Sequence, residues 1–360
     1  MSKANSKIKV LCTMSGGVDS SVAAALLVRA GYNVTGVFVV NYDEIGPGGE
    51  SCWAADYQDA LRVAAKLGIP LLRWDFVKEY KETVLDYMYS EYEAGRTPNP
   101  DVLCNKFVKF GAWLDKAKEL GFDKLATGHY ARIKQSKNLV KLMEAKDKNK
   151  DQTYFLHQLN QEQLKHALFL IGDYTKPEVR KLAKKFCLPN ADKEESMGIC
   201  FVGEVPMKDF LLKKIKSQPG KIILSTGEVL GNHDGLSFYT IGQRNLGVKT
   251  KENKPLYVVA KNFEKNELVV GYEDDKLLYK KEAGVTDVNW ISGKQKFPLN
   301  CEVRLRHRQP LQKCTISHSD QGGGIPYTIK FKNSQRAVTP GQFAVFYKKG
   351  ECLGGGVILN

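Results

Sequence analysis

Apolar and polar positions change period several times along the first third of the chain. Ile8, Val10, Leu11 and Met14 form a short apolar run that predicts a buried strand over residues 8–14. Residues 22–30 (VAAALLVRA) are rich in Ala and Leu and predict a helix. After a turn at Gly31-Tyr32-Asn33, the β-branched run 34–40 predicts a second strand. The spacing further predicts a helix near 58–67 closed by Gly68, a strand at 71–76, helices near 78–94 and 102–120, and a short strand at 124–127. In the 102–120 helix, Leu103, Phe107, Phe110, Leu114 and Ala117 fall on one face. This alternation argues for an α/β class with a doubly wound, Rossmann-like parallel sheet whose ligands sit at the carboxyl ends of its strands. Residues 151–190 read as helical, with Pro177 at a helix start.

The pattern changes at Pro219-Gly220. Short strands are expected at 221–224, 228–230, 256–261 and 267–270, and then at about ten-residue spacing over 285–290, 302–305, 313–317, 327–331, 343–347 and 352–359. That rhythm predicts a small central β-rich domain followed by a C-terminal antiparallel β-barrel, with Gly322-Gly323-Gly324 at a hairpin tip. Domain boundaries are expected at 1–210, 211–280 and 281–360.

Composition adds a partner. The chain has 360 residues and a formal net charge of +14, which favours a polyanion such as nucleic acid. Hydrophobic residues make up 42%, enough for packed cores and against disorder. No apolar run is long enough to span a membrane, and the opening MSKANSK lacks the apolar core of a secretory signal. Eight cysteines without a CxxC pair fit neither a disulfide framework nor a familiar zinc site, and point to reduced thiols in a cytoplasm.

Between the first strand and first helix lies Ser15-Gly16-Gly17-Val18-Asp19-Ser20-Ser21. Glycines let the backbone approach an anion, and the first N–H groups of a helix carry the positive end of its dipole. No lysine follows these glycines, so this is not the loop that grips a β/γ-phosphate with an ammonium, and it lacks the GxGxxG spacing of dinucleotide folds. Backbone donors, three serines and one carboxylate suit a departing pyrophosphate, with Asp19 placed to help hold a divalent cation.

Two cysteines stand out by context. Cys104 follows a loop with two prolines, Pro98 and Pro100. With Asp101 as N-cap it falls in the first turn of a helix, near Lys106, where a thiolate is favoured. Cys200 lies between Gly198 and Gly203, in a stretch able to deliver a thiol to a partner. Burial as a small hydrophobe is the alternative for each. The segment from Asp147 to Phe155 (DKNKDQTYF) mixes charge, amide and rings, as an RNA-contacting turn does, with a solvated capping turn as the alternative. Arg304, Arg306 and Arg308 alternate on an expected barrel strand and so share one face, which an anion would relieve of repulsion. His129 follows a strand end, where a ligand contact and a structural role are both open.

Taken together these residues resemble the tRNA-specific 2-thiouridylases. The Ser15–Ser21 stretch resembles the PP-loop of a broader group of ATP pyrophosphatases. The more specific resemblance lies in GRTPNPDVLCNK (95–106), ATGHY (126–130), KDQTYFL (150–156), GICFVG (198–203), PGKI (219–222), YTIGQR (239–244), VTPGQFAVFY (338–347) and CLGGGVI (352–358), in order along essentially the whole chain. The resemblance implies a PP-loop ATP-binding domain, a small central domain and a C-terminal barrel. It implies that ATP, with Mg²⁺, adenylates the C2 oxygen of the wobble uridine of tRNA and that pyrophosphate leaves. Cys200 matches the persulfide carrier, Cys104 the second catalytic cysteine and Asp101 the acid/base candidate. Thr13, Met14, Ser15, Gly16, Gly17, Val18, Asp19, Ser20, Val39 and Gly128 match nucleotide positions. Asn99, Pro100 and Asp101 match the stretch facing the target base. His129, Lys150, Asp151, Gln152, Arg306, His307 and Gln342 match tRNA contacts. Implied partners are wobble-uridine tRNAs, such as those for Lys, Glu and Gln, and a sulfur-donor protein, a cysteine desulfurase or a sulfur relay. Nothing demands more than a monomer. The chain departs from the pattern at Val39, where relatives carry methionine, at His307, where tyrosine is usual, and in a GQR segment one residue shorter. A related ATP pyrophosphatase forming a C–N bond, and a non-catalytic RNA-binding or sulfur-carrier protein, are the competing classes.

Overall fold

The computed structural model describes residues 5–45, 49–136, 139–195, 202, 206–248, 254–318 and 327–359. Cys200, its flanking Gly198 and Gly203, and the triple glycine at 322–324 lie outside the described residues.

The first sheet is built from β1 (Lys9–Thr13), β2 (Asn33–Val40), β3 (Leu71–Asp75) and β4 (Lys124–Thr127). The strand β5 (Arg132–Ser136) and β6 (Leu139–Met143) form a hairpin outside it, and β7 (Ala167–Phe169) returns to it. The order β3-β2-β1-β4-β7 is parallel throughout, as the alternation required. Helix α1 (Val18–Ala30) buries Val22, Ala23, Ala24 and Leu27 against one face and ends at Gly31, whose left-handed backbone (φ 82°) closes the last turn. Helix α2 (Ala54–Leu67) starts earlier than its periodicity suggested and ends at Gly68 in the same conformation.

The helical run after Pro98 differs from expectation in two ways. It begins as α3 (Pro100–Leu103) and continues through a wider, π-type stretch, Cys104–Ala112, into Trp113–Glu119. The wider turns carry more residues per turn, so the apolar face slips in phase. Cys104 and Val108 are buried, whereas Phe107, expected in the core, is 45% exposed. Residues 151–190 are only partly helical. They hold two short helices, the strand β7, and α4 (Lys176–Lys185), which has Pro177 in its first turn as expected.

Beyond residue 219 the chain is β-rich. Strands β8 (Gly220–Leu224), β9 (Val229–His233), β10 (Tyr257–Asn262) and β11 (Glu267–Gly271) form a four-stranded sheet, order β10-β11-β8-β9, with its own core of Ile222, Val258, Leu268 and Val270. Strands β12 (Tyr279–Trp290), β13 (Leu299–Arg304), β14 (Gln312–His318), β15 (Tyr327–Arg336), β16 (Phe343–Lys348) and β17 (Glu351–Ile358) close into an antiparallel barrel through the β12–β17 pairing. The β5–β6 hairpin, unmarked by any strong alternation, joins β17 through Glu351↔Met143 and Cys352↔Leu142. The hairpin between β4 and β7 therefore extends the barrel's sheet, and barrel and parallel-sheet region share one apolar cluster that includes Leu142, Tyr154, Phe343 and Tyr347.

The fastening at this junction is ionic as well as apolar. Arg304, at the end of β13, is buried and reaches Asp151 at 3.1 Å and Glu144 at 3.4 Å, with its guanidinium over the Tyr347 ring. Removing the cation leaves buried Asp151 without a cation and Glu144 with Lys148 alone, and a buried carboxylate that loses its partner costs about 3–5 kcal/mol. Arg304→Ala is therefore expected to lower the denaturant midpoint steeply, and Arg304→Lys to recover only part, because one ammonium lacks the fork that spans both acids.

Candidate active site

The loop between β1 and α1 sits at the carboxyl end of the parallel sheet. Gly16 has φ +77°, and a Cβ there would lie 2.4 Å from the carbonyl oxygen of Asp56. Gly17 is the N-cap of α1 and supplies no side-chain cap, so the first amides of the helix are left for another acceptor. Ser20 and Ser21 turn their hydroxyls inward and donate to the Gly17 carbonyl at 3.0 and 2.9 Å. The Ser15 amide donates to Ser20 Oγ at 3.2 Å, and the Ser15 side chain stays exposed. Behind the loop, buried Asn190 donates to the Gly16 carbonyl at 2.8 Å and to Ser21 Oγ at 2.9 Å. Gly128, following β4, packs so closely that a Cβ would meet the Ser20 nitrogen at 2.7 Å. Thr13 ties β1 to β4 by donating to the Ala126 carbonyl at 3.3 Å. Met14, Val18 and Val39 are buried apolar walls. The shape is a backbone-lined cradle in which two glycines are required by contact.

Asp19, in the first turn of α1, accepts from Tyr130 Oη at 2.9 Å and is gripped by Lys176 Nζ at 2.8 and 2.9 Å. Burial, with Asp19 alongside, pushes the Tyr130 phenol up, so it remains a donor. Among the described residues no group of three or more His, Cys, Asp or Glu could hold a metal. A single carboxylate suits a magnesium ion that keeps phosphate and water oxygens for its other positions.

The proline-containing stretch is held from the barrel side. Gln342 donates to the carbonyls of Thr97 and Pro98 at 3.0 and 3.1 Å, and the Thr97 amide donates to the Pro340 carbonyl at 2.9 Å. The helix start differs from the expectation at Asp101. Asn99 is the N-cap, accepting from the Val102 amide at 3.4 Å, and Pro100 takes the first helical position, where its missing N–H costs nothing. Asp101 thus lies inside the first turn, and its carbonyl accepts from Asn105 at 2.9 Å. Cys104 comes just after that turn and is fully buried.

The positions matched to RNA contacts divide. Lys150 pairs with Glu195, and Gln152 accepts from the Tyr130 amide at 2.9 Å. Asp151 is turned inward to Arg304, Thr153 and the Ala145 amide, so this carboxylate fastens the turn instead of facing outward. Arg304, Arg306 and Arg308 do not share one strand face. The strand β13 ends at Arg304, which is buried, and Arg306 and Arg308 are exposed in the turn that follows, where Arg308 has φ +64°. His307 packs on Phe155 at 4.5 Å between centroids.

Three histidines are held neutral. Burial and Lys109 keep His129 well below the usual imidazole range, burial takes His157 to about 4, and burial with Arg308, Arg304 and Lys150 takes His307 to about 4. His129 instead shares a 2.7 Å hydrogen bond with Thr127 Oγ1. In the unfolded chain these rings protonate near 6.5, before they do so in the folded protein. Their contribution is therefore present at pH 7 and is lost as pH falls from 6.5 towards 4. The melting temperature should drop between pH 7 and pH 5, with unfolding at pH 5 coupled to uptake of about two to three protons.

Sequence reasoning missed Lys176, Asn190 and the inward role of Arg304. Lys176 directly precedes the helix-starting Pro177, and no local signal tells that it reaches across to α1.

Cradle, parallel sheet and barrel define a nucleotide-phosphate-binding α/β enzyme with a β-barrel appended. Comparison with known proteins resolves the class. Residues 8–204 match the family described as tRNA methyl transferase HUP domain, 208–272 the tRNA methyl transferase PRC-barrel domain and 280–358 the aminomethyltransferase beta-barrel domain. A tRNA-specific 2-thiouridylase MnmA of Bacillus velezensis is 46% identical over 366 residues, covering 99% of this chain and 96% of that protein. That of Lacticaseibacillus paracasei is 45% identical, with 98% and 95% covered, and that of Streptococcus sanguinis 45% identical, with 98% and 96% covered. A solved 4-thiouridine synthetase–RNA complex with bound ATP shares 16% identity at a TM-score of 0.35, covering 57% of this chain and 50% of that one. The chain belongs to the tRNA-specific 2-thiouridylase family.

Proposed function

We propose that this protein is an ATP-dependent tRNA-uridine 2-sulfurtransferase acting on the wobble uridine. The carrying observation is the cradle around Gly16, Gly17 and Gly128 at an uncapped helix start, on a chain related over its full length to 2-thiouridylases. The cradle takes the phosphates of ATP, and Asp19 would hold a Mg²⁺ ion that would offset phosphate charge. The C2 oxygen of the uridine attacks the α-phosphorus and pyrophosphate leaves. Carbonyl oxygen is a poor leaving group, and as an adenylate it departs as AMP.

Sulfur arrives as a persulfide on Cys200. Its terminal sulfur attacks C2 directly, or Cys104 cleaves the persulfide and releases sulfide that attacks. In either route the S–S bond is broken by Cys104, leaving a Cys104–Cys200 disulfide that an external thiol must reduce before the next turnover. Because Cys104 is fully buried in this arrangement, the reaction requires a rearrangement around α3 that exposes it. Asp101 serves as acid/base, and Asn99, Pro100 and Asp101 face the base. Lys150, Gln152, Arg306, His307 and Gln342 flank the tRNA, with His129 and Asp151 holding that surface from beneath. Residues 1–210 form the catalytic unit, 211–280 the central unit and 281–360 the barrel. No helix among the described residues is long and apolar enough to cross a membrane, and the free thiols among them fit a reducing cytoplasm; the protein works there as a monomer supplied by a sulfur-donor protein.

The test is pyrophosphate release from ATP and Mg²⁺ with tRNA transcripts. Release is expected with a wobble-uridine tRNA and absent when cytidine replaces that base. Release without tRNA would favour a small-molecule pyrophosphatase, and none under any condition a non-catalytic RNA-binding protein.

A further inference from the structure

The cradle has no lysine of its own, yet an ammonium stands at its mouth. Lys176 Nζ lies 2.8 and 2.9 Å from the two oxygens of Asp19 and 2.9 Å from Glu195 Oε1. Its side chain is only 13% exposed. Its backbone is fixed as well. Thr175 caps α4 in a reciprocal box with Glu178, the Lys176 amide donates to Asp147 at 2.9 Å, and Lys146 pairs with Glu178 at 2.8 Å. The same Glu195 also pairs with Lys150, so two ammoniums and two carboxylates alternate from the first turn of α1 outward. Such a chain is balanced only while the cradle holds no anion. Pyrophosphate oxygens at the start of α1 would compete with both carboxylates for Lys176, and Asp19 would be repelled by them unless a cation intervened.

We infer that Lys176 is the cation of the phosphate site, held in reserve by Asp19 and Glu195 and transferred to the β- and γ-phosphate oxygens when nucleotide binds. It replaces, from another helix, the lysine that other phosphate loops carry in their own sequence. In the reaction it would hold charge on the leaving pyrophosphate, a role that a positioned ammonium fills without proton transfer. Glu195 sets the threshold, because it is the second rival for the same ammonium. The inference rests on the reading of the cradle as a pyrophosphate site.

The experiment is titration calorimetry on the full chain with inorganic pyrophosphate and, separately, AMP, both with Mg²⁺. Lys176→Gln should weaken pyrophosphate at least tenfold and change AMP less than twofold, because AMP lacks the phosphates that the ammonium would hold. Lys176→Arg should stay within threefold of the wild type for both. Glu195→Gln should tighten pyrophosphate about threefold by removing a competitor. If Lys176→Gln binds pyrophosphate as the wild type does, or loses AMP and pyrophosphate equally, Lys176 merely neutralises Asp19 and the inference is wrong. If the wild type binds no pyrophosphate, the reading of the cradle falls first and the inference with it.

Discussion

Serine at position 104 or 200 is expected to reduce thiolated tRNA by at least about a thousandfold, the scale of losing a covalent participant. A hydroxyl at position 200 carries no sulfane sulfur, so the transfer has no source. A hydroxyl at position 104 is too weak a nucleophile to cleave a persulfide. Pyrophosphate release in a single turnover should persist in Cys200→Ser, since adenylation precedes sulfur transfer. Liquid chromatography of nucleosides from the treated tRNA measures the first effect, and a coupled pyrophosphate assay the second. Because Cys104 is fully buried, Cys104→Ser also places a hydroxyl in an apolar cluster, so its melting temperature must be recorded alongside. Full activity in either variant would remove the two-cysteine mechanism.

The second large effect concerns the cradle. Gly16→Ala forces an L side chain into φ +77° and places its Cβ 2.4 Å from a backbone oxygen of α2 that no rotamer change can clear. Gly128→Ala drives β4 away from α1 at the Ser20 amide, where contact is 2.7 Å. Each should lower kcat/KM for ATP more than a hundredfold, about 3 kcal/mol, by tilting the amides that face the phosphates. Gly68→Ala is the matched control. Gly68 also has a positive φ, but a Cβ there meets nothing within 4 Å, so only backbone strain is added and ATP kinetics should be retained.

How much of this could be read beforehand follows from the range of each signal. The strand–loop–helix at 8–30 is local, and its apolar run, its glycines and its alanine-rich helix each pointed the same way. The barrel strands were legible because alternation and turn residues repeat at short intervals. The β5–β6 hairpin was not, since Arg132–Ser136 is polar and pairs through β6 with a strand at the far end of the chain. Nor was β7, three residues whose strand character comes only from the neighbour β4. Phe107 was misplaced because a period of 3.6 was applied to a wider helix. Asp101 and Asn99 are both good caps, and the choice turned on where Pro100 is tolerated.

At the site, the glycines, serines and Asp19 were visible as a motif. Their partners were not, because Lys176, Asn190 and Tyr130 reach the loop only through tertiary packing. The same holds for the arginines. Alternation placed Arg304 outward with Arg306 and Arg308, but β13 ends at Arg304 and two buried acids draw it in.

The mechanism turns on adenylation at the uridine C2 oxygen. A tRNA carrying ¹⁸O at C2 of the wobble uridine, incubated with the protein, ATP, Mg²⁺ and a persulfide donor, tests it by mass spectrometry of the nucleotide product. One ¹⁸O is expected in the phosphate of AMP for each 2-thiouridine formed. Label appearing in water or in pyrophosphate, with unlabelled AMP, would contradict it.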